Sequence, residues 1–301
     1  MTERRRRLRT VFASLRQPGR RRRIAQLLDS VLPKAAAEML FPDGEARAGR
    51  LVAASYNIHK CVGTDGKFDP ERILAVIREL DADVLALQEA DRRLGLRQGL
   101  LDIARIERET GLALVPVAER PASHGWHGNA IFVRAGTPMR IRRLTLPCAE
   151  PRGAVMTELD LPGGQLRVVA AHLGLLRQSR RQQTAALVQA IDRGDPMPTI
   201  LMGDFNEWRP GRPDSPLAAL EPLFGPALHS QPSFPSRRPI FALDRILGWP
   251  QGTVETTVVH HSALARVASD HLPVRALVNL TVPLPIAPSP DAAPSADVET
   301  A

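Results

Sequence analysis

The chain has 301 residues, 44% hydrophobic and only 4% aromatic, enough for one large packed domain or two small ones. No apolar run approaches the length of a membrane span. The two cysteines, Cys61 and Cys148, support neither a disulfide framework nor a zinc pattern, which leaves a reducing, cytoplasmic setting. The formal net charge of +8 sits in an arm, since residues 1–50 carry 13 Lys/Arg against 5 Asp/Glu, whereas residues 51–280 are close to neutral.

That arm comes first in the chain. Arg4 to Arg7, Arg9, Arg16 and Arg20 to Arg23 repel one another, so residues 1–23 resist compaction until they meet an anion. A helical stripe follows at Ile24, Leu27, Leu28, Val31 and Leu32 and is broken by Pro33. Asp29, Pro33 and Lys34 interrupt its apolar part, so it does not read as a signal peptide. A basic arm with an amphipathic stripe over residues 1–41 suits an anionic membrane surface, the inner face for a cytoplasmic protein. A solvated tail with a helix packed on the body, or nonspecific nucleic-acid binding, fits the same residues.

The arm is assigned to 1–48 and a single domain to 49–280. The domain alternates strand-like and helix-like segments. Strands are expected at 51–58, 84–89, 113–118, 129–134, 139–146, 154–161, 166–172, 199–204, 241–247, 252–259 and 272–280. One helix starts behind Asp69 as N-cap and Pro70 at N1, with Ile73, Leu74, Ile77 and Leu80 on one face. A second runs from Ser179 to about Asp192. Residues 281–301 are Pro/Ala-rich and read as a disordered tail.

The chemistry gathers where apolar runs end. Asn57 follows Ala54-Ser55-Tyr56, Glu89 follows Leu85-Ala86-Leu87-Gln88, and His172 follows Val168-Val169-Ala170-Ala171. Gly203-Asp204-Phe205-Asn206 closes another run, and Ser269-Asp270-His271 sets an acid beside a proton carrier. Asp204 and Asn206, two apart, face one side if the strand continues, although Gly-Asp-x-Asn is also a common turn. Glu89 needs compensation from a hard divalent cation or from Arg92 or Arg93. Asp244 can orient His271 or pair with Arg245. Trp126, Trp208 and Trp249 flank these loops as an apolar rim or as packing beneath them. Lys60 is a candidate phosphate contact. His260 and His261 are adjacent, so on a strand they face opposite ways and read as non-catalytic.

Asn57, Leu87-Gln88-Glu89, Ala171-His172-Leu173, Gly203-Asp204-Phe205-Asn206, Leu243-Asp244-Arg245-Ile246 and Ser269-Asp270-His271 together resemble the endonuclease/exonuclease/phosphatase superfamily, in the family's order and across 51–280. The resemblance implies a four-layer α/β sandwich, two mostly antiparallel sheets flanked by helices. It implies Glu89 as principal Mg²⁺ ligand, replaceable by Mn²⁺, with Asn57 and Asp270 near the metal. Asp204 would position the attacking water and Asn206 would contact phosphate. His271, oriented by Asp244, would be the catalytic histidine. His172 would contact phosphate and protonate the leaving group. Arg152 would bind phosphate, and Asn129 would lie near the substrate. The carboxylate that pairs with the second histidine in DNase I-like members has no clear match; Glu119 and Glu150 both qualify.

The activity implied is metal-dependent hydrolysis of a phosphate ester, by water attack on phosphorus. The near-neutral body and the detachable arm favour a phosphodiesterase acting on a lipid headgroup or small organophosphate. A nuclease is the alternative. A non-catalytic binding module is the third reading, against which the retained catalytic positions speak.

Overall fold

The computed structural model describes residues 48–285, apart from 210, 211, 213 and 226–229. The arm with its amphipathic stripe and the tail from 286 onward therefore lie outside the described residues.

Eleven strands form two sheets. The six-stranded sheet holds β1 (Arg50–Asn57), β2 (Val84–Gln88), β3 (Ala113–Leu114), β4 (Ala130–Val133), β10 (Val254–Val259) and β11 (Val274–Asn279), in the order β10-β11-β1-β2-β4-β3. The five-stranded sheet runs β5 (Thr137–Thr145), β6 (Gly153–Leu161), β7 (Gly164–His172), β8 (Thr199–Asp204) and β9 (Asp244–Trp249) in sequence order. Among the described residues only β1 with β2 and β7 with β8 pair in parallel. Each expected strand has its counterpart among these eleven.

The helices are α1 (Pro70–Leu80), α2 (Ile103–Thr110), α3 (Arg177–Asp192), α4 (Glu221–Phe224) and α5 (Ala265–Ala268). Asp69 caps α1 as expected, its carboxylate accepting from the Arg72 backbone N–H at 3.2 Å. Helix α3 starts two residues before the expected Ser179, and α2 was not anticipated.

Period-two alternation separates two cores. Val155, Val168, Ala170, Ile200 and Met202 face the six-stranded sheet and join the larger core. Their neighbours Ala154, Met156, Val169, Ala171 and Leu201 point the other way, onto Leu187, Ala190 and Ile191 of α3. Helices α1 and α2 pack together, and α5 lies against α1. The result is the four-layer sandwich that the resemblance implies.

Strands β7 and β8 approach closely at Gly203, the residue before Asp204. Its φ is +147°, and a Cβ built there falls 1.8 Å from the Ala171 carbonyl oxygen of the parallel partner strand. Gly203→Ala is therefore expected to push β8 away from β7 and to cost more than the usual 0.5–3 kcal/mol of a point change, roughly. Thermal unfolding checks this, and a Tm equal to the parent's would refute the tight approach.

Candidate active site

The C-terminal ends of β1, β2, β7 and β8 and the start of β9 open onto one edge, because Asp204 pairs with His172 on one side and Asp244 on the other. Asp204 Oδ2 is where the site converges. The Asn57 amide donates to it at 3.0 Å, His172 Nε2 lies 3.5 Å away and His271 Nε2 3.7 Å away. Asp204 Oδ1 accepts from the Asn206 backbone N–H at 2.9 Å, which fixes the carboxylate's rotation.

Asp244 orients His271. Its Oδ2 accepts from His271 Nδ1–H at 2.8 Å and from the Ser233 hydroxyl at 2.6 Å. Its Oδ1 is buried with no hydrogen-bond partner in the protein. Asp204, Asp244 and His271 are all buried, and they are the one group among the described residues whose ligand atoms lie within 4.8 Å of one another.

The two histidines are driven apart in protonation. Burial alone would lower His271, but the carboxylates of Asp244 and Asp204 outweigh it and raise it to about 10. For His172 burial prevails over Asp204, and the pKa falls to about 4. Arg152 Nη1 donates to His172 Nδ1 at 3.3 Å, so the neutral imidazole carries its proton on Nε2, toward Asp204. The second histidine thus meets an arginine where a carboxylate was sought. Glu150 instead accepts from the backbone N–H groups of Leu175 and Leu176 at 2.8 and 2.9 Å, ahead of α3, and Glu119 is exposed.

Glu89 lies one residue past β2 with φ +58°, and Lys60 Nζ stands 2.6 Å from its Oε2. Burial raises the Glu89 carboxyl, and His172, Lys60 and His59 outweigh it and hold it below the usual range. Lys60, rather than Arg92 or Arg93, is the internal cation. It is brought there by a turn in which His59, Lys60 and Cys61 all have positive φ, a conformation that costs non-glycine residues energy and recurs at functional sites. Asn57 Oδ1 accepts from the His59 N–H at 3.1 Å and shapes that turn. Asp270 Oδ1 lies 3.7 Å from His59 Nδ1. Glu89 and Asp270 thus face the Lys60 and His59 side chains of one turn, whose backbone binds Asn57 Oδ1. Carboxylate and amide oxygens of this kind suit a hard divalent cation such as Mg²⁺ or Mn²⁺.

Two expected substrate contacts are placed differently. Asn206 is not on a continuing strand: β8 ends at Asp204, Asn206 has φ +50°, and its side-chain amide donates to the Leu173 carbonyl at 3.0 Å. Asn129 is wholly buried and ties the Trp126 and Gly153 carbonyls together, at 3.2 and 2.9 Å. Both brace loops. Sequence reasoning missed Ser233 and Phe234, eleven and ten residues before Asp244 in a loop without periodic pattern. The Phe234 ring lies 4.8 Å from that of His271, and Trp208 packs edge-on against Phe234 and Phe241. Trp208 is 39% exposed and forms a rim, whereas Trp126 packs edge-on against His127. Beyond Trp208 a recess of about 410 Å³ is lined by Arg177, Arg180, Glu207, Arg209, Arg212 and Ser215. His260 binds Glu79 at 2.9 Å, away from the site.

Residues 54–271 match the Endonuclease/Exonuclease/phosphatase family. The chain belongs to that family. Endonuclease/exonuclease/phosphatase proteins hydrolyse phosphoester bonds, generally with a divalent metal ion. The chain is 32% identical over 165 residues to the uncharacterised protein YbhP of Escherichia coli K12. The aligned stretch takes in 52% of this chain and 64% of that relative's length. A family structure from Beutenbergia cavernae is similar, with TM-score 0.57 and 25% identity, over 77% of this chain and 72% of that one. TDP2 from D. rerio, solved with a single-strand DNA product, shares the fold, with TM-score 0.55 and 16% identity over 76% and 99% of the two chains. The DNase I-like architecture of the endonuclease/exonuclease/phosphatase family is thus the architecture of this chain.

Proposed function

We propose that this protein is a Mg²⁺-dependent phosphodiesterase, with Mn²⁺ able to substitute, acting on a lipid headgroup or another small organophosphate. The carrying observation is the pair of histidines 3.5 and 3.7 Å from Asp204 Oδ2, one held neutral and the other as the imidazolium. Environments that push two titratable groups apart assign them different tasks. Asp204 orients the attacking water and takes its proton. The His271 imidazolium, held by Asp244, stabilises charge on the phosphoryl oxygens and carries a proton to be given up. Neutral His172 donates from Nε2, and its low pKa makes it a hydrogen-bond donor rather than the leaving-group acid. Arg152 adds fixed positive charge beside it. When bound by Glu89, Asn57 and Asp270, the cation would supply Lewis-acid stabilisation of the phosphate.

The aromatic wall of Phe234, Phe241 and Trp208 beside His271 supports a substrate with a non-phosphate group to pack there. The near-neutral body supports a small or lipid substrate over a long polyanion. The nuclease reading keeps one observation in its favour, the likeness to TDP2 with its DNA product.

A hydrolysis panel tests the proposal: anionic phospholipid vesicles, inositol phosphates and supercoiled plasmid, each with Mg²⁺, Mn²⁺ or EDTA, beside His271→Ala. Vesicle or small-ester cleavage that needs the metal and falls by about 10²–10⁴ in the variant is expected. Plasmid nicking with the same dependence, and no other turnover, would replace this reading with the nuclease.

A further inference from the structure

Nine large apolar side chains stand exposed among the described residues, and seven of them lie on loops at the catalytic edge. Phe68 is in the segment after β1, bridged to Val62 beside the Lys60 turn. Leu94 and Leu96, 84% and 77% exposed, are on the loop after β2. Leu175 and Leu176, 61% exposed each, follow β7, and their backbone N–H groups bind Glu150, whose Oε2 is 3.9 Å from Arg152 Nε. Trp208 follows β8. Ile240, 62% exposed, precedes β9, and its N–H bonds to the Phe234 carbonyl.

Each of these tips carries basic residues next to it. The pairings are Lys67-Phe68, Arg92-Arg93-Leu94-Gly95-Leu96-Arg97, Leu176-Arg177, Trp208-Arg209 and Arg237-Arg238-Pro239-Ile240. All of these cations but the half-buried Arg97 are exposed. The mouth of the site is therefore ringed by separate apolar tips, interleaved with positive charge.

We propose that this rim is a docking surface for an anionic phospholipid bilayer. The apolar tips enter the interface and the arginines meet the headgroup phosphates, so the catalytic edge faces the lipid. The chemistry favours this occupant. The tips are carried on five different loops, and a fluid surface accepts each one independently, whereas a protein partner buries one packed patch. Six of the seven side chains are not tryptophan or tyrosine and five are aliphatic, so they offer little stacking to unpaired bases. The proposal rests on the phosphodiesterase reading only for its biological purpose, since it names the surface on which that site would meet its substrate.

The test is vesicle flotation of the full chain, with phosphatidylcholine alone or mixed with phosphatidylglycerol. The parent is compared with a variant carrying Leu94→Ser, Leu96→Ser, Leu175→Ser and Leu176→Ser, all at exposed positions. Tm reports whether that variant is folded, and Leu94→Ser with Leu96→Ser alone serves if the fourfold change lowers it. The parent should float with the anionic vesicles, and the variant should bind them roughly tenfold or more weakly, even at salt that screens the basic arm. A parent that floats with neither vesicle, or a folded variant that floats as well as the parent, overturns the proposal. So does loss of plasmid retention in the variant while the parent ignores vesicles, which would assign the rim to nucleic acid. Turnover of bis(4-nitrophenyl) phosphate by the parent is measured alongside. A parent that floats but never hydrolyses keeps the docking surface and sinks the phosphodiesterase reading.

Discussion

Asp204→Asn is expected to lower kcat by about 10²–10⁴-fold while changing KM little. The substitution keeps the volume and the hydrogen bond to the Asn206 N–H, because the amide oxygen can take the place of Oδ1. It removes the one negative charge shared by Asn57, His172 and His271. The proton of the attacking water then has no acceptor, and His271 loses one of its supporting carboxylates. The loss should therefore fall on the chemical step rather than on binding. The upper limb of the pH profile should also move to lower pH, because the imidazolium is less well supported. Steady-state kinetics on a soluble ester from pH 5 to 10 tests both points. A kcat within tenfold of the parent's would remove Asp204 from the reaction.

Asp244→Ala is the change with the largest expected cost in stability, about 3–5 kcal/mol, the usual penalty for stripping a buried charge of its partner. Asp244 is fully buried and holds both His271 Nδ1–H and the Ser233 hydroxyl. The sign with pH follows from the raised His271 pKa. The folded state holds that proton up to about 10, whereas the unfolded histidine releases it near 6.5. Its contribution is complete below about 6.5 and is lost as pH rises toward 10. Denaturant unfolding in EDTA should show the parent weakening across that window and Asp244→Ala weakening less, from a lower starting point. Parallel curves for the two proteins would mean that His271 does not hold its proton against this carboxylate.

All eleven strands were legible because each carries an apolar run, or in β5 apolar residues interleaved with arginines, bounded by turn residues, and short-range pattern was enough. Helix α2 was not read, having only Ile103 and Ile106 as apolar anchors. Its signals were at the ends, with Asp102 accepting from the Arg105 N–H and Gly111 at φ +71°. The start of α3 was unreadable for a different reason: the acceptor for the N–H groups before it is Glu150, some 25 residues upstream. Strand-end position also places Asn57, Glu89, His172 and Asp204 at one edge, since a strand fixes where its last side chain emerges. It misjudged Asn206, because period-two reasoning stops where the backbone turns left-handed. The contacts of Lys60 with Glu89 and of Arg152 with His172 depend on how two loops fold back, and no local pattern encodes that.

The position of β11 has a consequence for how the protein is made. It is among the last strands in the chain, yet it sits between β10 and β1 and pairs with both. While a ribosome is still translating, β1 waits with one side unpaired, and an open apolar edge of that kind invites the wrong partner. Asp270 and His271 emerge only just ahead of β11, so an incomplete chain has neither that interior strand nor the histidine that Asp244 holds. A nascent chain short of β11 therefore lacks both the partner of β1 and the His271–Asp244 pair, and the candidate site is assembled only as synthesis of the domain finishes.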